Sequence, residues 1–214
     1  FITDAGHELK TPITVIATSL KVLEMESGEN KWIDKSLAQT EKLRDLVNSL
    51  VSLSRLDEEQ SPLKMAEFPI SEAISETAES FRDYAEANGH ELQLEIAPAL
   101  TYTGDEYAIR QLVSILLDNA VKYADEHACI KLSLEKGKKG PVIRTMNPCT
   151  GLTRQQVERL FDRFYRVDQS RTTGGFGIGL SMARSIAEGH KGSIKATCCE
   201  ENKIEFTVLL GKCV

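Results

Sequence analysis

Several features that mark other protein classes are missing from this chain of 214 residues. No segment approaches the apolar run of roughly 20 residues that a membrane-spanning helix needs. The five cysteines are odd in number and lack the spacing of a metal site, so we expect free thiols in a reducing compartment. An excess of positive charge is also absent, and the net charge of −6 argues against nucleic acid as the main partner.

The chain also has no initiator methionine and no secretory signal pattern, and it opens inside a helical pattern. We therefore expect a fragment of a longer protein. Its length and its apolar content of 41% are sufficient for one large domain or two small ones.

The first 58 residues are predicted to be helical throughout. A turn-rich stretch at 27–30 separates two helices, each with an apolar face. On the first helix this face consists of Ile2, Leu9, Ile13, Ile16, Leu20 and Leu23. A hairpin of two amphipathic helices cannot bury both faces by itself, so we predict that two copies pair into a four-helix bundle.

The chain beyond residue 67 mixes helices and strands without a regular alternation. Helices are predicted at 71–88, 105–123, 153–161 and 177–188, and strands at 91–96, 129–135, 141–146, 193–197 and 204–210. This order, with mostly antiparallel strands, favours a two-layer α/β sandwich. The predicted fold class is therefore α+β, with a helical domain at 1–60 and the sandwich at 67–214.

A histidine with reactive surroundings lies early in the first helix. His7 shares a heptad position with Thr14 and Lys21 and so faces solvent. A neutral imidazole has a free lone pair and can act as a nucleophile, and the adjacent Glu8 could take up its proton. Thr11, four residues after His7, could position a water molecule on the same face. The alternative is an ordinary surface histidine beside a solvated acid.

A second group of residues has the chemistry of a nucleotide site. Asn119, Lys122 and Tyr123 share the polar side of a predicted helix. An amide oxygen can ligate Mg²⁺, an ammonium group can bind phosphate, and an aromatic ring can border a base. By themselves, such residues more often form a solvated helix face.

A third group is the glycine cluster at 174–179, just ahead of a predicted helix. Glycines let the backbone approach a phosphate closely, and a helix N-terminus favours an anion. The spacing differs from the dinucleotide-binding fingerprint, and a merely flexible loop is the alternative. Arg163 and Arg166, in the preceding basic and aromatic run, favour phosphate binding.

Together these elements resemble the cytoplasmic core of bacterial sensor histidine kinases. The phosphoacceptor box of that family resembles residues 1–15, and its asparagine box resembles 115–123. Its phenylalanine box resembles 161–166, and its second glycine box resembles 174–180. The resemblance implies a dimerising phosphoacceptor domain followed by an ATP-binding domain of the kind found in gyrase and the Hsp90 chaperones.

The resemblance also implies roles for single residues. His7 would be phosphorylated with Glu8 as base, Thr11 would assist dephosphorylation of the partner, and Asn119 would be the Mg²⁺ ligand. The implied ATP-binding residues are Asn119, Lys122, Tyr123, Asn147, Gly151, Arg163, Arg166, Gly175, Gly177, Gly179 and Leu180. The phosphoryl group would pass from His7 to an aspartate in the receiver domain of a response regulator.

Three positions depart from the family pattern. Ile115 replaces a second asparagine and cannot ligate a metal. Asn147 replaces an aspartate that accepts a hydrogen bond from adenine, and a neutral acceptor makes a weaker bond. Cys149 replaces a glycine and could narrow the pocket. ATP binding is therefore expected to be weaker, by about tenfold for each ~1.4 kcal/mol lost.

The leading hypothesis is an active, homodimeric histidine kinase that also acts as a phosphatase on its regulator. We expect the cytoplasmic portion of a bacterial protein anchored in the inner or plasma membrane by segments outside this chain. The rival hypothesis, motivated by Ile115 and Asn147, is a degenerate kinase-like module that dimerises and docks a partner without turnover. A related ATPase without phosphohistidine chemistry is a third possibility, which the His7-Glu8 pair disfavours.

Overall fold

The computed structural model describes residues 2–28, 30–57, 63–167, 176–199 and 202–212. Within these ranges it leaves the side chains at 2–8, 27, 42, 45, 49–57 and 199 undescribed.

The N-terminal part is a helical hairpin, as predicted. Helix α1 spans Ile2–Ser27 and helix α2 spans Lys31–Asp57, and the two contact each other. Trp32 lies at the start of α2 and is 64% exposed, with the ammonium groups of Lys31 and Lys35 within 5.4 and 5.2 Å of its ring centroid. Neither these two nor any other described helix is long and apolar enough to cross a membrane.

The apolar face of α1 is only partly covered by α2. Ile13 is buried together with Val47 of α2, and Leu20 is half-buried. A second row of leucine and isoleucine side chains, seven residues apart, remains about half exposed: Leu9, Ile16 and Leu23. The predicted face therefore divides into one seam that packs within the hairpin and one that stays open, because α2 packs against one side of α1, while α2 itself also contacts helix α7 (Gly179–Gly189) of the following domain.

The remainder of the chain forms a mixed domain. Its helices are α3 Ile70–Glu79, α4 Arg82–Ala87, α5 Glu106–Tyr123, α6 Arg154–Arg159 and α7 Gly179–Gly189. Its strands are β1 Ala66–Phe68, β2 Glu91–Ile96, β3 Tyr102–Gly104, β4 Cys129–Lys136, β5 Pro141–Pro148, β6 Ser193–Cys199 and β7 Lys203–Leu209. Five strands form one sheet in the order β2-β4-β5-β7-β6, while β1 and β3 pair separately.

The core lies between this sheet and a layer of helices. Only the β2–β4 pair is parallel among the described strands, and the other neighbours are antiparallel. Alternate residues of β4 point into the core and are almost completely buried: Ile130, Leu132 and Leu134. Helices α3, α5 and α7 contact the sheet, and burying each large apolar side chain contributes about 1.5–3 kcal/mol. The predicted α+β fold with a two-layer sandwich is confirmed.

The helix predicted over 71–88 is wrong in one respect, since the chain turns at Ser80 and Phe81 and forms α3 and α4 instead. The Ser80 hydroxyl donates to the carbonyl oxygen of Thr77 at 2.7 Å, and the Phe81 N–H donates to that of Ala78 at 3.0 Å. These shorter-range bonds tighten the backbone, and Phe81 packs against the core. The short strands β1 and β3 were not predicted.

Candidate functional site

Two polar side chains are buried on the inner face of the sheet, at the end of β5. Thr145 and Asn147 follow Ile143 at intervals of two residues and so share its inward face, and both are 1% exposed. The Asn147 Nδ2 donates to the carbonyl oxygen of Pro148 at 3.0 Å. The Asn147 Oδ1 and the Thr145 Oγ1 are buried, and neither has a hydrogen-bond partner among the described residues. Leaving such an atom unpaired costs about 1–3 kcal/mol, so we expect an ordered water or a ligand to complete each hydrogen bond.

The C-terminal half of α5 lies beside this strand. Asn119, Lys122 and Tyr123 are all half-buried there, and α5 contacts β5. The Lys122 Nζ is 2.6 Å from the Asp118 Oδ2, one turn earlier on the helix. The structure thus places the predicted residues of the asparagine box on an element that adjoins Asn147.

A carboxylate that the sequence did not single out holds the loop after β5. The Thr150 N–H lies 3.1 Å from both carboxylate oxygens of Asp125, and the Thr150 hydroxyl donates to the Asp125 Oδ1. The Cys149 N–H donates to the carbonyl oxygen of Asn202 at 2.7 Å, so the loop is held from both sides. Gly151 follows with a φ of +84°, a backbone conformation that favours glycine. The sequence could not reveal this role of Asp125, because an acidic residue shortly after a helix is a common pattern.

The phenylalanine box and the second glycine box are in direct contact. The Phe164 N–H donates to the carbonyl oxygen of Gly177 at 2.8 Å. Gly177 has a φ of +69°, and a Cβ there would lie 2.7 Å from the carbonyl oxygen of Tyr165. Only glycine therefore permits this close approach, which brings the 161–166 segment to the beginning of α7.

Four further predicted positions lie around this contact. Arg166 is half-buried and Arg163 is exposed. Gly179 begins α7 and Leu180 follows it, 8% exposed. A Cβ at Gly179 would lie 3.4 Å from the Cγ2 of Ile115, so the isoleucine that replaces the family's asparagine adjoins the first turn of α7. Gly175 lies outside the described residues.

The predicted phosphoacceptor residues lie on α1. The backbone of His7 and Glu8 belongs to this helix, but their side chains lie outside the description, and Thr11 is exposed. The joint burial of Ile13 and Val47 sets the register of the hairpin. The two helices run antiparallel, so His7, six residues before Ile13, lies beside the position about six residues after Val47. His7 is therefore level with the last turns of α2.

The metal-ligating groups at the site suit an ion that binds together with a nucleotide. Within the described ranges, no group of three histidine, cysteine, aspartate or glutamate side chains could hold a metal ion. Asn119 would offer a single amide oxygen. Mg²⁺ in nucleotide sites takes few protein ligands and completes its octahedron with waters and phosphate oxygens, so one oxygen on α5 fits this ion.

Comparison with protein families matches two regions of the chain. Residues 1–59 match the His Kinase A (phospho-acceptor) domain. Residues 104–212 match the family described as histidine kinase-, DNA gyrase B- and HSP90-like ATPase.

Curated relatives include two streptococcal proteins. Sensor protein DltS of Streptococcus agalactiae is 33% identical over 92% of this chain and 50% of its own length. Sensor protein CiaH of Streptococcus pneumoniae is 32% identical over 97% of this chain and 47% of its own length. The chain thus spans about half the length of these relatives.

Solved structures share the fold at lower identity. Full-length ShkA in complex with AMPPNP aligns with a TM-score of 0.80 and 21% identity over 100% of this chain and 46% of that chain. Acinetobacter baumannii histidine kinase AdeS aligns with a TM-score of 0.70 and 23% identity over 96% of this chain and 97% of that chain. The arrangement of the site and these matches agree: the chain belongs to the sensor histidine kinase family and comprises its phosphoacceptor and ATPase regions.

Proposed function

We propose that this chain transfers the γ-phosphoryl group of ATP to His7, and that the group then passes to an aspartate in the receiver domain of a response regulator. The observation that carries the proposal is the buried Asn147 Oδ1 on β5, which no described residue bonds and which lies beside the helix that bears Asn119. The amino group of adenine would donate the hydrogen bond that this buried acceptor needs.

The orientation of the Asn147 amide favours adenine over guanine. Its Nδ2 already donates to the Pro148 carbonyl, and a flipped amide would place two oxygens about 3.0 Å apart. The atom offered to a ligand is therefore the oxygen, which only accepts. Adenine presents a donor amino group at the matching position, whereas guanine presents a carbonyl oxygen.

The phosphate end of ATP would be held by the elements that meet at the start of α7. The amides of the first turn of α7 favour an anion, and Lys122 and Arg166 supply positive charge. Asn119 would hold Mg²⁺, which neutralises charge on the phosphate oxygens when bound. In the reaction, the lone pair of a His7 nitrogen forms a bond to the γ-phosphorus while the bond to the ADP oxygen breaks. The Glu8 carboxylate takes the proton from the other ring nitrogen.

The chain incubated with Mg-ATP is expected to acquire a phosphoryl group that is labile in acid and stable in base, and His7→Gln is expected to remain unlabelled. Lys21→Gln, which changes another exposed residue of the same helix face, serves as the matched control and should label normally. Radiolabel transfer after acid and base treatment measures this outcome. An equally labelled His7→Gln variant would place the chemistry elsewhere.

We assign to Thr11 a role in removing phosphate from the regulator. It is exposed and lies one turn after His7, so its hydroxyl can orient a water toward the docked phosphoaspartate. Thr11→Ala should keep the autophosphorylation rate and dephosphorylate the receiver domain at least fivefold more slowly. Equal dephosphorylation rates would remove Thr11 from this step.

The second candidate function is a dimeric binding module without turnover, which Ile115 favours. Ile115 adjoins the start of α7, where it offers no metal ligand. Calorimetry with a non-hydrolysable ATP analogue separates the two candidates. No binding heat at millimolar analogue would favour the binding module, and saturable heat would favour the kinase.

A further inference from the structure

Asp105 uses both of its carboxylate oxygens in hydrogen bonds to backbone N–H groups. It is the N-cap of α5, and its Oδ1 accepts from the Ala108 N–H at 3.0 Å. Its Oδ2 accepts from the Lys64 N–H at 2.9 Å. Capping needs only the first of these bonds. The second joins α5 to residues 63–65, the described part of the segment between α2 and β1, which we call the connector.

The backbone of Asp105 is bonded in turn to the end of α7. Its N–H donates to the Nε2 of His190 at 3.0 Å. Because Nε2 accepts this bond, the proton of the neutral ring is on Nδ1, which donates to the carbonyl oxygen of Ile186 at 2.8 Å. His190 is fully buried.

The connector also packs against the end of α7. A Cβ at Gly189 would lie 2.9 Å from the Cδ1 of Leu63, so the leucine contacts the last turn of that helix. Asp105 and His190 therefore fasten the connector to the first turn of α5 and the last turn of α7. The other ends of the same two helices bear Asn119 and Gly179. The fastening point and the candidate nucleotide site lie at opposite ends of shared rigid elements, and α5 with its 18 residues is about 27 Å long.

We infer that Asp105 is a positioning residue: by holding the connector at Lys64, it sets how the nucleotide-binding domain is placed relative to His7. The inference rests on the proposed phosphorylation of His7. That residue lies level with the last turns of α2, and the connector leads from this end of α2 to the nucleotide-binding domain.

Covalent geometry shows what release of the connector would change. Six residue steps separate Asp57 from Leu63, and they span at most about 21 Å. If residues 63–65 came free, the span would run to Ala66 and reach about 32 Å. Helix α2 also contacts α7, and after release this contact would have to hold the domain without the restraint at Lys64. The domain would then sample a larger volume around α2, and the arrangement that aligns ATP with His7 would be a smaller fraction of it.

Lys64 permits a test that leaves the cap of α5 intact. The Met65 N–H donates to the carbonyl oxygen of Leu63 at 3.0 Å, and φ of Lys64 is not positive, as in an inverse γ-turn. Proline fits that φ and removes the N–H that Asp105 accepts. Lys64→Ala keeps the N–H and is the matched control.

With the full chain and saturating Mg-ATP, Lys64→Pro is expected to autophosphorylate at least threefold more slowly than Lys64→Ala. The dissociation constant for the ATP analogue should agree within twofold, because the nucleotide site itself is unchanged. In Asp105→Asn the amide oxygen can still cap α5, but the NH₂ group faces the Lys64 N–H and cannot accept its hydrogen bond. This variant should likewise autophosphorylate more slowly while its dissociation constant for the ATP analogue is unchanged. An unchanged or raised rate in Lys64→Pro would overturn the inference, and so would equal losses of rate and affinity.

Hydrogen exchange tests the fastening without any phosphorylation. The Lys64 amide should be protected in the unmodified chain and exchange at least tenfold faster in Asp105→Asn. An unprotected Lys64 amide in the unmodified chain would contradict the inference even if His7 is phosphorylated. A protected amide in a chain that never phosphorylates His7 would instead refute the proposed function, and with it the positioning role, while leaving the fastening in place.

Discussion

At the scale of the residue, the inner face of β5 carries two buried polar atoms, the Thr145 Oγ1 and the Asn147 Oδ1, that accept or donate no hydrogen bond among the described residues. Resemblance to a known family identified Asn147 from the sequence, and strand periodicity directs it inward. Thr145 was missed because alternation shows which face a threonine occupies but not whether its hydroxyl finds a partner. Asp125 was missed for a related reason, since its bonds to Thr150 join positions 25 residues apart.

Thr145→Val is expected to raise stability and lower nucleotide affinity together. Valine has nearly the same shape and removes a buried hydroxyl that bonds none of the described residues, so the free energy of unfolding should rise by about 1 kcal/mol. The ATP analogue should bind several-fold more weakly if the hydroxyl contacts it. Thermal unfolding and calorimetry measure the two effects.

Thr207→Val is the control for this change. Its hydroxyl donates to Glu205 on the half-buried positions of β7, which alternate with the inward-facing Phe206, so affinity should stay unchanged. A Thr145→Val variant that binds the analogue as tightly as the unmodified chain would exclude this face of β5 from the nucleotide site.

At the scale of the element, the sequence predicted which helices form far better than it predicted where they begin and end. The long helix α5 was predicted almost to the residue, because its apolar period is regular and Asp105 supplies a standard cap. The division between α3 and α4 was not predicted, because it depends on the Ser80 hydroxyl and on the packing of Phe81. The strands β1 and β3, of three residues each, are too short for a recognisable alternation.

The end of α7 should make stability depend on pH. Burial lowers the pKa of His190 below its usual value of about 6.5, against the opposing effects of the hydrogen bond to Ile186 and the charge of Asp105. The unfolded chain therefore takes up a proton at this histidine before the folded chain does. The contribution of neutral His190 is complete above pH 6.5 and is lost as the pH falls toward the lowered pKa of the folded state.

Urea unfolding at several pH values between 7.5 and 5.5 measures this loss. His190→Gln should be less stable at pH 7.5 and show a shallower decrease toward pH 5.5 than the unmodified chain. His127→Asn, a change at an exposed histidine, should retain the original pH dependence. Parallel curves for His190→Gln and the unmodified chain would contradict the assigned cause.

At the scale of the whole molecule, the open seam on α1 is the largest consequence of the hairpin. The sequence predicted that two amphipathic helices cannot cover both apolar faces, and the exposed Leu9, Ile16 and Leu23 agree with that reasoning. Which residues face α2 and which remain open could not be predicted, because this depends on the rotation of one helix against the other. Pairing of two chains along the seam is the arrangement that we expect.

Ile16→Glu combined with Leu23→Glu should convert a dimer to a monomer, because burying two carboxylates against the seam of a second chain is costly. Light scattering should report about half the mass of the unmodified protein. Thr14→Glu with Lys21→Glu, on the exposed face, should leave the mass of the assembly unchanged. If the seam variant and the unmodified protein have the same mass, the seam is not the dimer interface.

The location of Trp32 has a practical consequence. This indole is the sole tryptophan of the chain and is mostly exposed, with two lysine ammonium groups above it, at the closed end of the hairpin. Intrinsic emission therefore reports on the hairpin and is insensitive to the occupancy of a pocket on the sheet. Emission and far-ultraviolet circular dichroism, followed in one titration, will show whether the two halves of the protein lose their structure at the same denaturant concentration.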